Sequence, residues 1–382
     1  MNFSFEDEYL DFQGTCRAFT QKHVRPVVLE SEAAGRPPKT LWLEFGKARL
    51  LGLMTPEEHG GSGRDELAVA ILAEELSRAS GGIAVSALVS AYMAGTHIVH
   101  YGTPDQAASY SPAIAAGEKI AAIAVTEPGA GSDVAGITTR AVRTADGYRI
   151  NGRKMFITNA GIADVFIVAA KTDPEAGHRG ITTFLVDAGT PGLSVGSPLP
   201  KMGWHSSDTR EVMLDDVEVP DSAVLGEIGR GFYQIMGAFQ LERICLAAMG
   251  LGHAADSLRS ATDYVSNRSV FGGRLGDRQS VRHRLARMHT LLEAARLLTY
   301  KAAAQLRDGD PQAANTVAMA KYYVAETTSQ IVDDAVQLHG GSGFVEESGV
   351  ARHYRDMRIL RIGGGVDEVQ LDIIAKQLLP GA

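Results

Sequence analysis

Apolar residues recur at steps of three and four from the start of the chain to about residue 118. Phe5, Tyr9, Phe12, Cys16 and Phe19 form one stripe, the spacing of an amphipathic helix. Pro26 and Pro37-Pro38 interrupt the helical pattern after that stripe, and His59-Gly60-Gly61-Ser62-Gly63 reads as a loop. Two Ala-rich stretches, 66–78 and 83–100, predict further helices. Gly102-Thr103-Pro104 ends the second and opens another short one.

The period changes near residue 119. Residues 119–125 read as a buried strand, and 141–144 and 148–150 flank the hairpin signal Ala145-Asp146-Gly147. Asn151-Gly152 predicts a second tight turn before 154–158. Residues 165–171 and 181–186 are β-rich runs, and 212–219 alternates apolar and acidic residues up to Pro220. The short turns predict an antiparallel domain. After Gly231 the helical period returns over 232–267, 279–307 and 311–339. Gly340-Gly341-Ser342-Gly343 then breaks it before a last turn-and-helix region.

The expected class is therefore α+β: an N-terminal helical domain at 1–118, a middle antiparallel β domain at 119–225, and a C-terminal four-helix bundle at 226–382. A chain of 382 residues exceeds what one core usually serves, in keeping with several packed regions. The net charge of −8 argues against a nucleic-acid surface, which needs clustered Lys and Arg. Cys16 and Cys245 are the two cysteines, with neither metal-ligand spacing nor a disulfide framework, so no metal site and a reducing, cytoplasmic setting are expected. The longest unbroken apolar runs, such as 120–125, fall far short of a bilayer span, and the acidic start lacks a signal layout. The chain is expected to be neither secreted nor membrane-embedded.

Architecture alone names no function. Several motifs do. Ala124-Val125-Thr126-Glu127-Pro128-Gly129-Ala130-Gly131-Ser132-Asp133 resembles the first signature of acyl-CoA dehydrogenases, and Gln337-Leu338-His339-Gly340-Gly341-Ser342-Gly343-Phe344 their second. Lys154-Met155-Phe156-Ile157-Thr158-Asn159 and Arg268-Ser269-Val270-Phe271-Gly272 match as well. Pro56-Glu57-Glu58-His59-Gly60-Gly61 and Tyr354-Arg355-Asp356 match more loosely. The resemblance runs over nearly the whole chain, in order and in register. It implies FAD as cofactor. Thr126 and Thr158 would hydrogen-bond the flavin, Phe156 would lie against its ring, and Ser132 would sit beside the phosphates or the pantetheine. It further implies that Arg268 and Phe271 reach across a subunit interface to the FAD pyrophosphate, with Gln337, Gly340 and Gly341 touching the neighbour's FAD. A homotetramer is implied, as is an electron acceptor such as an electron-transfer flavoprotein. His339 reads as structural, since nothing near it orients it as a base.

Many relatives carry the catalytic base as Glu in a Tyr-Glu-Gly-Thr segment near the C-terminus. The matching segment here is Gly363-Gly364-Gly365-Val366, so the base position, Gly364, has no side chain. Val366 replaces the Thr usual in the family, which should remove a polar contact to FAD. A subgroup including isovaleryl-CoA and long-chain acyl-CoA dehydrogenases places the Glu on a helix just before an Arg, and Gln240-Leu241-Glu242-Arg243 fits that pattern. Ala238, Phe239, Cys245 and Leu246 lie one turn from Glu242. Burial on such a face raises a carboxylate's pKa and makes it a stronger base once ionised. The bland alternative is an ion pair inside the bundle. Glu242 is thus the expected base, Gly364 the backbone donor to the thioester carbonyl, and Gly363, Arg243 and Ser132 substrate contacts. Small residues at Gly363 and Gly364 should open the acyl pocket to a branched or bulky group. The implied reaction is α,β-dehydrogenation of an acyl thioester on CoA or on acyl-carrier protein. Two rivals share the fold: flavin oxidases or monooxygenases, and a DNA-associated member whose added basic region is not seen here. Trp204-His205 fills a segment where the family varies, and nothing is drawn from it.

Overall fold

The computed structural model describes residues 5–379, so the outermost ends of the two helical domains lie outside the described residues. Seven helices come first: α1 (Asp7–Phe19), α2 (Val28–Ala34), α3 (Lys39–Lys47), α4 (Glu66–Ser77), α5 (Gly81–Leu88), α6 (Thr96–Tyr101) and α7 (Pro104–Ala115). A π turn joins α5 to α6 in one continuous helix. Thr103 caps α7 and forms a reciprocal box with Gln106, which is why the Gly102-Thr103-Pro104 signal works. The C-terminal part contains α8 (Gly231–Asn267), α9 (Gln279–Arg307), α10 (Ala313–His339), α11 (Val350–Asp356) and α12 (Asp367–Leu378).

Between them lie β1 (Ala121–Ala124), β2 (Arg140–Arg143), β3 (Gly147–Thr158), β4 (Val165–Lys171), β5 (Ile181–Asp187), β6 (Leu193–Val195), β7 (Thr209–Pro220) and β8 (Val224–Leu225). The sheet runs β6-β7-β3-β2-β4-β5-β8, with β1 added beside β4. Two expectations need correction. The domain is not purely antiparallel, because β1 and β4 pair in parallel, Ala121 opposite Val165 through Ala124 opposite Val168. Asn151-Gly152 is not a turn either. β3 runs straight through it, with a register shift against β7 between Ile150 and Gly152. A side chain at Gly152 would overlap Thr139, so this glycine marks a bulge where Thr139 packs against the strand.

β4 reads as an unbroken apolar run because both its faces are covered. Phe166, Val168 and Ala170 enter the sheet's own core, while Val165 and Ile167 pack against Ala94, Ile98 and Ile114 of the helical domain. The two helical domains, far apart in sequence, share one core. Trp42, Leu72 and Leu88 belong to the same cluster as Ile244, Leu251, Val324 and Leu360. Two helices, Gly81–Tyr101 and Gly231–Asn267, are long and apolar enough to cross a membrane, contrary to the expectation that no segment approaches that length. Most of each apolar window, 94% and 67%, is buried inside the protein, which is the placing of core helices. Scattered Gly, Ser and His break their apolar runs without lowering the mean hydropathy much.

The loop before β7, on which the sequence was silent, joins all three parts. The Trp204 N–H donates to Asp356 of α11 (2.6 Å), the Ser206 N–H to Glu32 of α2 (3.1 Å), and the Ser206 hydroxyl pairs with that of Ser80 (2.8 Å).

Gly152→Val should force Thr139 off the strand. An overpacked site of this kind typically costs about 1–3 kcal/mol, and the thermal melting midpoint of the purified protein is expected to fall accordingly. An unchanged midpoint would show that the bulge is not constrained by Thr139.

Candidate active site

Glu242 sits in the first third of α8, on a stripe formed with Ile235, Cys245 and Leu246, all buried. Desolvation raises its carboxyl to about 7, although Arg243 and Lys321 pull the other way through space. Neither cation hydrogen-bonds it. Arg243 Nε instead donates to the Gly364 carbonyl at 3.0 Å, and Lys321 Nζ to the Gly365 carbonyl at 2.6 Å. Gln370 Nε2 reaches both carbonyls, at 3.3 and 3.1 Å.

The segment between α11 and α12 thus faces α8 directly. The Ile362 and Gly363 N–H groups both donate to the Ile359 carbonyl at 2.8 Å, which ends the preceding 3-10 turn. Gly364 and Gly365 then adopt φ of 64° and 95°, values that favour glycine. The Gly364 N–H has no partner among the described residues. A side chain begun at Gly364 would stand 3.7 Å from Glu242 Oε1, so the carboxylate lies against this glycine. The same construction lies 2.6 Å from Leu246 Cδ1. Leu246 therefore already occupies part of the space that the two glycines were expected to leave open. Val366 precedes α12 at the N-cap position and gives the helix no side-chain cap.

A second group lies on the sheet. Thr126 follows β1, and its carbonyl accepts the Met155 N–H (2.8 Å), which ties the β1 exit loop to β3. Phe156 then takes φ of 60° and is 62% exposed, and Thr158 closes the strand half-buried. The loop is held from beneath. Glu127 accepts from the Thr138 N–H (2.6 Å), the Thr139 N–H (3.0 Å), both threonine hydroxyls, and Lys154 Nζ (2.8 Å). Desolvation pushes its carboxyl up, but Lys154 and these donors outweigh it and hold Glu127 near 2. Above them Gly129 and Gly131 have no atom within 4 Å of where a side chain would start, and Ser132 is exposed.

The third group is remote. Arg268 ends α8, 26 residues after Glu242, roughly 39 Å away at 1.5 Å per residue. A short hairpin, β9 (Ser269–Val270) and β10 (Gly273–Arg274), carries Phe271 at its tip, 97% exposed. Gln337, Gly340 and Gly341 lie at the end of α10, all three exposed, beside Phe344 at 88% exposure. His339 Nδ1 meets the Ala335 carbonyl (2.7 Å), its Nε2 meets Ser260 (3.2 Å), and its ring packs on Tyr264. That ties α10 to α8, a structural part, as expected.

Glu242, Arg243, Gly363 and Gly364 thus converge, while Arg268 and Phe271 are separated from them by the remaining length of α8. Thr126, Ser132, Phe156 and Thr158 belong to the loops and strand end of the sheet domain. Open backbone at Gly129 and Gly131, threonine hydroxyls, an outward aromatic ring and an exposed guanidinium are groups suited to a flavin dinucleotide, so the residues fit FAD. Lys321 and the pairing of Glu127 with Lys154 were missed, and Leu246 was named only as a neighbour of Glu242. A single Lys within the apolar run 317–325 was the available signal for Lys321. Among the described residues no group of three or more His, Cys, Asp or Glu side chains is placed to hold a metal ion.

Three family models cover nearly all of the chain: acyl-CoA dehydrogenase N-terminal domain at 6–118, middle domain at 122–217 and C-terminal domain at 229–379. The chain is 39% identical to a 3-(aryl)acrylate reductase of Clostridium sporogenes, over 98% of this chain and 99% of that protein. It is 38% identical to the CarC subunit of the caffeyl-CoA reductase-Etf complex of Acetobacterium woodii, over 98% and 99%. The structure of butyryl-CoA dehydrogenase from Megasphaera elsdenii superposes with a TM-score of 0.95 at 38% identity, covering 99% of this chain and all of that one.

Lys154→Met should leave the Glu127 carboxylate buried without its cation. Breaking such a pair typically costs about 3–5 kcal/mol, so melting is expected well below wild type with weaker FAD retention. Glu127 is depressed in the fold, so its contribution is present at neutral pH. It is lost as pH falls from the ordinary value of 4.5 towards 2. Melting midpoints across that range should drop less steeply in the variant. Equal slopes would mean that Glu127 is not the group responsible.

Proposed function

The chain belongs to the acyl-CoA dehydrogenase family, and within that family we propose that Glu242 is the base that removes the α-proton of the acyl thioester. The protein is an FAD-dependent enzyme of α,β-dehydrogenation of acyl-CoA. The observation that carries the assignment is the closeness of the Glu242 carboxylate to Gly364, whose N–H has no partner among the described residues.

The α-proton of a thioester becomes acidic when the carbonyl oxygen is stabilised as charge moves onto it. In this reading the Gly364 N–H donates to that oxygen, more strongly to the developing enolate than to the ground state. Glu242, desolvated and unpaired, takes the proton. Bound FAD supplies the two-electron acceptor for oxidation of the Cα–Cβ bond. Ser132 and Arg243 would orient the pantetheine arm and the loop. Removing bulk at Gly363 and Gly364, with Leu246 filling only part of the space, suits short or medium branched acyl groups.

The reverse direction has one observation in its favour, the names of the two reductase relatives. The same groups serve by microscopic reversibility, with Glu242 delivering the proton to Cα. A carboxyl near 7 is populated in both forms at neutral pH. The complex named for the CarC relative supports an electron-transfer flavoprotein as redox partner. Exposed Arg268, Phe271 and Phe344, far from Glu242, support a shared FAD site in at least a dimer and, with the family pattern, a tetramer. Two free, buried cysteines suit a reducing cytoplasm.

Glu242→Gln should fold and bind FAD, while turnover falls by roughly 10²–10⁴-fold, the usual loss with a general base. Near-normal turnover would reject the assignment. For wild type, kcat/KM for dehydrogenation should fall about tenfold per pH unit below the Glu242 value of about 7, because only the ionised form accepts the proton. Specificity constants for isovaleryl, isobutyryl, butyryl, 3-arylpropionyl and palmitoyl thioesters, on CoA and on acyl-carrier protein, test the pocket. A strong palmitoyl preference would refute the branched reading.

A further inference from the structure

Lys321 lies on α10 with 1% of its surface exposed. A buried ammonium is costly unless its protons are satisfied. The nearest carboxylate, Asp367, stands 3.8 Å away and is engaged by Arg361 at 2.6 Å. Lys321 gives its short bond to backbone instead, the Gly365 carbonyl at 2.6 Å. Arg243 of α8 does the same for the preceding carbonyl, that of Gly364. Two cations from two helices therefore hold two consecutive peptide planes of one glycine segment. Peptide planes are rigid, so once these are fixed only the two dihedrals of Gly364 separate them from the Gly364 N–H. Upstream the chain is held by the Gly363 N–H on Ile359. With glycine at three successive positions, the segment has no side chain of its own to fix it.

We propose that Lys321 is a positioning residue for this reaction, holding the Gly364–Gly365 backbone so that the Gly364 N–H faces the thioester carbonyl and setting a positive charge beside Glu242. This rests on the reading of Glu242 as base and Gly364 as donor. The charged groups around it are Glu242 and Arg243 from α8, Asp367 at the start of α12, and Arg361 before it. Tyr322 and Glu326 of α10 act on Arg361. Burial lowers Lys321 to about 8, and its charge opposes the desolvation that raises Glu242. Loss of that charge must move Glu242 higher, so less of it is ionised at neutral pH.

The holoenzyme with Lys321→Met should show the acidic limb of kcat/KM displaced upward by about one pH unit, a loss on the order of tenfold at pH 7. Lys321→Arg should keep the limb in place. Backbone amide exchange across 361–370 should be faster in the methionine variant, a readout independent of turnover. In the unaltered enzyme the protection factors of that segment should fall as pH rises from 7 to 9, because the neutral Lys321 amine donates a weaker bond to the Gly365 carbonyl than the ammonium does, which tests the tether even where the variant does not fold. Protection that stays flat over that range overturns the proposal, as does a methionine variant whose acidic limb coincides with wild type. Failure of the base assignment itself would appear separately, as an active Glu242→Gln.

Discussion

The chemistry of this site depends on keeping one half-buried, desolvated carboxylate unpaired in the presence of two cations. Arg243 follows Glu242 in sequence and Lys321 approaches from α10, and either would form an ion pair if free to do so. An ion pair would lower the carboxyl and weaken it as a base. The two cations instead donate to the carbonyls of Gly364 and Gly365. Their charges still act through space, enough to keep an ionised Glu242 accessible near neutral pH, without the short contact that would quench its basicity.

Glu127 shows the opposite solution in the same molecule. It is a buried carboxylate beside a lysine, but it accepts that lysine directly together with four donors from two threonines. Its carboxyl falls near 2 and it is chemically inert at neutral pH. Its work is mechanical: it fixes the loop that carries Thr126, Gly129 and Gly131. Two carboxylates inside one protein thus serve as scaffold and as base, and the difference lies in where the neighbouring cations send their protons.

Much of this was legible in the sequence because local signals agreed with the fold. The helical stripes, the Thr103 capping signal and the β-rich run at 165–171 needed no tertiary information. What failed was set by long-range packing. Asn151-Gly152 carries turn chemistry, yet the glycine is required by Thr139 lying against the strand, a contact no local pattern encodes. The parallel β1–β4 pair joins segments 44 residues apart, Ala121 to Val165, invisible to a rule based on short turns. At the site, Glu242 could be named because its apolar neighbours lie one turn away. Lys321 could not be placed, because its partner is a carbonyl 44 residues later. Leu246 was counted only as a neighbour of Glu242, although it is also what fills the space beside Gly364.

The packing around Gly364 also explains why the base on α8 and a glycine segment belong together. Gly364 at φ 64° and Gly365 at φ 95° are what turn both carbonyls towards Arg243 and Lys321. A side chain at Gly364 would be strained by that backbone and would press on Leu246 Cδ1 at 2.6 Å. A carboxylate could therefore be borne by the segment only if the backbone relaxed and Leu246 gave way, which would disturb the carbonyl contacts that keep the cations occupied. With the carboxylate on α8, the segment is released from carrying a side chain and can be shaped for its N–H alone. Placing Glu at 364 in a Glu242→Gly background should accordingly restore little turnover by itself, and more once Leu246→Ala removes the clash. The expected order is double variant below triple variant in kcat at saturating substrate, with FAD content equal in both. If the double variant alone recovers near wild-type turnover, Leu246 and the left-handed backbone do not hold the segment, and the exclusion argued from them fails.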